Sequence, residues 1–202
     1  MATRKDLKKI EKLFFGPEGE TERKNWVTLI GRFMVAFGDI ENITLLALER
    51  ISSESLMRTA RSLQLTKRIE LLSEILGSKE SISDEARANF IKSLAGAKKL
   101  SEMRNIIAHN PLLLTVHLDS PGELIAGHEI VSARNEDSRI TAKRMQELVE
   151  QAEKTRTHLF DQYGQISGQL IQIQLMQHRK ERRRLADRAR RLRRREDAKF
   201  SH

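Results

Sequence analysis

Arg104, Asn105 and His109 fall within one short run, Arg104-Asn105-Ile106-Ile107-Ala108-His109. If the run is helical, Asn105 and His109 share a face one turn apart, with Arg104 beside them. An imidazole titrates near neutral pH and serves as either proton donor or proton acceptor. A guanidinium presents a planar fork that matches two oxygens of a phosphate. A histidine in a last helical turn is also favoured in its charged form by the carbonyl end of the helix. The polar row extends backward through Lys98 and Glu102, at steps of four, three and four. The same residues have a plainer reading: His109 as a cap for the helix end, Arg104 as an ion-pair anchor at the edge of an apolar face.

The elements that must position this run read as helices. Leu7, Ile10 and Phe14 recur at helical spacing over 4–14, and Gly16-Pro17 stops them. A long helix over roughly 22–51 carries the stripe Trp26, Ile30, Phe33, Phe37, Ile40, Thr44, Leu48 and Ile51. A third shows Leu65, Ile69, Leu72 and Leu76, with Gly77 as its C-cap. The fourth starts near Ser83-Asp84, carries Phe90, Leu94 and Ala97, and must end near Asn110, because a residue before proline avoids the α region. Leu112–His117 and Leu124–Val131 then read as a β-hairpin around the turn cluster Asp119-Ser120-Pro121-Gly122. Ala133–Arg139 reads as a loop and Thr141 as an N-cap. The last helix runs through Met145, Leu148 and Ala152. Its later stripe of Leu159, Tyr163, Ile166, Leu170 and Ile173 is spaced as a coiled-coil seam would be. No Pro or Gly separates it from the arginine-rich end, so the helix is expected to continue there.

Arg-Asn-x-x-x-His at the end of a helix, in a small helical protein, resembles the motif of the HEPN superfamily. The earlier helix reading Phe37-Gly38-Asp39-Ile40-Glu41 and the hairpin straight after the motif agree with that resemblance, which covers roughly residues 22–175. None of the other five histidines has an arginine five residues before it. The resemblance implies a metal-independent endoribonuclease in a toxin or antiviral-defence setting, needing no cofactor or metal. It also implies a homodimer in which two motif helices face each other and form one composite site. On that pattern His109 is the general acid/base, Arg104 stabilises phosphate charge and Asn105 orients the site. The chemistry is compatible: RNA is cut when its own 2′-OH attacks the adjacent phosphate, which needs a base, an acid and cationic donors. One motif supplies one histidine, and a two-fold dimer supplies both proton roles.

Glu41 interrupts an apolar row of Met34, Phe37, Leu45 and Leu48, where an unpaired carboxylate would be costly. It is expected to pair with Arg104 and hold its guanidinium in place, and it resembles the acidic residue that many family members carry in the earlier helix. Asp39 competes for that role, and a solvated Glu41 at the stripe edge is the plainer alternative. One position departs from the family: some of its toxins carry a tyrosine two residues after the motif histidine, where a partner nucleotidyltransferase modifies them. Here Pro111 stands there, which argues against neutralisation by that route and leaves a protein antitoxin or defence partner open. His117 and His128 meet across the expected hairpin without an evident third ligand, short of what catalytic zinc takes. No phosphate-binding loop, dinucleotide fingerprint, serine elbow or zinc-protease pair occurs.

The second chemical feature is a cationic end. Twelve basic and four acidic side chains lie between His178 and His202, so this segment carries +8 of the chain's +9. The basic run is Arg179, Lys180, Arg182, Arg183, Arg184, Arg188, Arg190, Arg191, Arg193, Arg194 and Arg195. Such a run grips phosphate backbone with steep salt dependence, and with no aromatic before Phe200 it lacks a platform for stacking bases. A solvated helical end without a specific ligand is the alternative.

With 202 residues, 39% of them apolar and 32% charged, the chain has enough core for one domain and is too apolar to be wholly disordered. The absence of cysteine removes disulfides, thiolate nucleophiles and cysteine zinc sites. Charges throughout the first thirty residues leave no room for a secretory leader, and no apolar run approaches a membrane span. The expectation is a cytoplasmic all-α protein: a helical bundle over 1–177 with a small β-hairpin at about 112–131, and an arginine-rich tail over 178–202. RNA is the expected partner. Two further readings remain, a non-catalytic nucleic-acid-binding protein with the same fold and a helical assembly protein whose 159–173 seam and tail contact a partner.

Overall fold

The computed structural model describes residues 4–118, 124–132 and 139–199. Among them the fold is all-α with a small β insertion. The helices are α1 (Arg4–Phe15), α2 (Pro17–Ile51), α3 (Glu54–Ser62), α4 (Leu65–Gly77), α5 (Asp84–His109) and α6 (Ala142–Lys199). Between α5 and α6 lie β1 (Leu112–Leu118), β2 (Leu124–Val131) and β3 (Arg139–Ile140), forming an antiparallel sheet in that order. The expected turn at 119–122 and positions 133–138 of the expected loop lie outside the described residues.

Helix α2 starts at Pro17, five residues earlier than its apolar stripe suggests. Proline is preorganised for a first helical position and loses no needed donor there, and Glu18 and Glu20 complement the positive helix end. Gly19 is required by packing: a Cβ there would collide with the carbonyl of Leu13 in α1. Helix α3 has no counterpart in the sequence pattern. It begins at Ser53, whose Oγ accepts from the Leu56 N–H at 3.4 Å, and buries only Met57 and Ala60. Two buried side chains give no legible period. Strand β3 begins at the end of the expected loop. Its two residues pair with Val131 and Ile130, and Ile140 is buried.

The core lies between α2, α5 and α6. Trp26, Phe33, Ile40 and Leu48 of α2 meet Phe90, Leu94, Ala97 and Leu100 of α5, and Met145, Leu148, Ala152 and Leu159 of α6. Arg32 and Glu153 clamp α2 to α6 through two hydrogen bonds of 3.0 and 2.9 Å. Thr141 caps α6 as expected, its Oγ1 accepting from the Arg144 N–H at 3.3 Å. The expected coiled-coil stripe on α6 turns inward: Leu159 and Ile166 are buried, and Tyr163 and Leu170 pack against the same core. From residue 174 onward every described side chain is exposed, so the helix leaves the body as a lone arm. From Ile173 to Lys199 it extends about 40 Å. No helix among the described residues is long and apolar enough to cross a membrane.

Candidate functional site

Helix α5 opens at Ser83, whose Oγ accepts from the Ala86 N–H, with Asp84 and Glu85 in the first turn. Its buried row is Ala86, Phe90, Leu94, Ala97 and Leu100, resuming at Ile107. Arg104 occupies this row between Leu100 and Ile107 and is half-buried, while Asn105 and His109 are exposed. The helix ends at His109. Asn110 is extended, with ψ at 147°, as the residue before Pro111 must be, and its Nδ2 donates to the Ile106 carbonyl at 2.8 Å.

This end of α5 forms one wall of a cleft of about 670 Å³. Arg104, Asn105 and His109 line it together with Phe37 and Glu41 of α2 and Arg68 of α4. The Arg104 guanidinium lies 6.0 Å from the Phe37 ring centroid, within range of a cation–π contact. Its Nη1 donates to Asn105 Oδ1 at 3.3 Å, and its Nε is buried without a hydrogen-bond partner among the described residues. Thr66 and Ser101 hydroxyls, 3.5 Å apart, join α4 to α5 at the cleft wall.

The expected Glu41–Arg104 ion pair does not form. Glu41 lies nearer Arg68, its Oε1 4.0 Å from Nη2, and Asp39 pairs with Arg156 of α6 at 3.5 Å. The geometry explains the difference: α4 lies against α2 and brings a second buried cation to Glu41, while Phe37 takes the Arg104 guanidinium. Arg68 is not among the residues that the motif singles out, yet the sequence carries a signal for it. It interrupts the buried row Leu65, Ile69, Leu72 and Leu76 of α4 as Glu41 interrupts that of α2.

Two supporting residues lie off the cleft. Lys98 is exposed and donates to Glu70 Oε1 at 3.0 Å, and Glu102 is exposed on the outer row of α5. Lys67 and Lys98, both hydrogen-bonded to Glu70, hold its carboxyl below the ordinary range. The two hairpin histidines do not meet. The register sets His117 opposite Ile125, on the sheet face of Glu129, and puts His128 on the other face. His117 contacts Glu129 at 3.1 Å, and buried His128 contacts Glu22 of α2 at 3.1 Å. Among the described residues no three acidic or histidine side chains form a group that could hold a metal ion.

On the arm, Arg179, Lys180, Arg182, Arg183, Arg184, Arg188 and Arg190 are all exposed, and among the described residues none makes an ion pair. At 100° per residue these seven cover about 240° of the helix circumference. Arg191, Arg193, Arg194 and Arg195 lie within α6. No family model, curated protein or solved structure matches the chain.

Proposed function

We propose that the protein is a HEPN-type, metal-independent endoribonuclease that cuts RNA by 2′-OH transesterification, in a toxin or antiviral-defence setting. One observation carries this reading: Arg104, Asn105 and His109, all from the last turns of α5, line one cleft open to solvent. Arg104 is stiffened by Phe37 and Asn105 and is free of any carboxylate partner among the described residues, as a group reserved for phosphate charge should be. His109 is exposed at the mouth, where it can exchange protons with a strand.

In the proposed reaction one His109 takes the proton of the 2′-OH as that oxygen attacks the phosphate. Arg104 meets the charge that grows on the non-bridging oxygens. A second His109, from the other copy of a two-fold dimer, protonates the departing 5′-oxygen. The products are a 2′,3′-cyclic phosphate and a 5′-hydroxyl. The basic arm of α6, rooted near Ser83 at the other end of α5 from His109, holds a long strand by its phosphate backbone.

The test is cleavage of end-labelled total RNA in EDTA by the wild type and by His109→Ala. The expected result is fragments ending in 2′,3′-cyclic phosphate, with the rate falling about 10²–10⁴-fold in the variant. Salt-sensitive RNA binding without cleavage by either protein overturns the nuclease in favour of a non-catalytic nucleic-acid-binding protein.

A further inference from the structure

The side chain of Arg68 is only 9% exposed, yet among the described residues its counterion, Glu41, stands 4.0 Å away. Its Nε donates to the Leu63 carbonyl at 3.1 Å, and Nη1 reaches the Glu41 carbonyl at 3.5 Å. The nearest carboxylate oxygen, Glu41 Oε1, is 4.0 Å from Nη2, beyond hydrogen-bond length. A guanidinium carries five N–H donors, and these contacts use two of them. A cation this buried is costly unless an anion completes its shell. Arg68 lines the same cleft as Arg104, whose own buried Nε lacks a partner among the described residues. Two fixed guanidiniums therefore line one cleft open to solvent, and its loosely held carboxylate, Glu41, lies beside Arg68 alone.

We infer that Arg68 is a second phosphate-binding residue of this cleft, and that Glu41 is a built-in competitor whose carboxylate stands in for the RNA phosphate when the cleft is empty. This rests on the nuclease reading for its substrate, while its geometry is separate from His109. The backbone carbonyls of Leu63 and Glu41 aim the guanidinium whatever the Glu41 side chain does. A phosphodiester oxygen entering the cleft gains unused Arg68 donors and displaces a carboxylate that makes no hydrogen bond among the described residues.

The experiment measures calorimetric binding of a 2′-O-methyl tetranucleotide, too short to engage arm and cleft together and unable to be cleaved. It uses the full chain and its Arg68→Met, Arg68→Lys and Glu41→Gln variants, with cleavage kinetics run in parallel. Arg68→Met is expected to weaken binding about tenfold or more and to raise KM more than it lowers kcat. Lysine restores part of the affinity. Glu41→Gln is expected to tighten binding several-fold, because it removes the competing charge. A merely structural Glu41–Arg68 pair gives the opposite sign: Glu41→Gln then lowers the melting temperature and leaves binding unchanged or weaker. That result overturns the inference even if Arg68→Met fails to fold. If the wild type cleaves RNA but the Arg68 and Glu41 variants bind like it, the inference falls and the nuclease stands. If the wild type cleaves nothing yet Arg68 and Glu41 shift binding in opposite directions, the nuclease falls and the phosphate site stands.

Discussion

The cleft and the arm both present arginine, but they hold it differently. In the cleft, Arg68 and Arg104 are half-buried or more, fixed by carbonyls, an aromatic ring and a neighbouring amide. Each position has one geometry, so each can favour one arrangement of phosphate oxygens. On the arm the basic side chains are solvated and surround most of the helix, so no single orientation of a bound strand is preferred. Burial turns a charge into a positioned group, whereas repetition turns charges into a field. The first can do chemistry and the second can only gather.

The contrast breaks first at the core. Phe90→Ala, at a side chain with no exposure on the buried row of the motif helix, is expected to cost about 3–5 kcal/mol of unfolding free energy. Leu185→Ala, on an arm side chain that is 58% exposed, should stay within about 0.5 kcal/mol. Urea melts of the two variants check this, and equal losses would mean that the arm packs against something. Removing 178–202 should next leave the melting temperature of the body nearly unchanged while flattening the salt dependence of RNA binding. The slope of log K against log salt is expected to fall by about 0.7 for each single-strand phosphate that the arm no longer neutralises. Filter binding at several salt concentrations reads it.

The smallest effect belongs to Glu70. Its carboxyl is held below its ordinary pKa by hydrogen bonds from Lys67 and Lys98, so the folded state favours the ionised form. Stability from this group is present above the unfolded-state pKa and is lost as the pH falls through the folded value. Glu70→Gln should therefore slightly lower the melting temperature at neutral pH, and the two proteins should converge as the pH falls through the folded value, as thermal melts across that range would read. All three side chains are solvent-exposed, which keeps the effect small.

The motif end of the cleft was legible because Arg104, Asn105 and His109 lie on one turn-and-a-half of one helix, and Pro111 announces where that helix stops. The opposite wall was not. Glu41 declared that it needed a cation, since it broke an apolar row, but a row cannot say which cation arrives. Arg104 was the nearer choice by motif, and Arg68 was the one that α4 delivered. Long periodic elements such as α2, α5 and α6 announced themselves through their stripes. Helix α3 and strand β3 bury too few side chains to write a period, so only tertiary packing reveals them. Continuity of α6 into the basic end followed from the lack of a breaker, while the inward turn of its 159–173 stripe depended on where the rest of the bundle lies.

The lone arm also obeys a reciprocity. Arg179 and Arg183, and then Lys180, Arg184 and Arg188, stand one turn apart along the helix, and Glu181 and Asp187 offset only part of that crowding. Like charges at this spacing each weaken an isolated helix by about 0.2–0.5 kcal/mol, and from residue 174 onward no described side chain is buried to offset the loss. Whatever neutralises the arm must therefore stiffen it, and whatever stiffens it must raise its affinity for the neutralising partner. Simple salt separates the two halves of that coupling: it screens the crowded cations and firms the rod, while it competes for the same charges and loosens the grip on a polyanion.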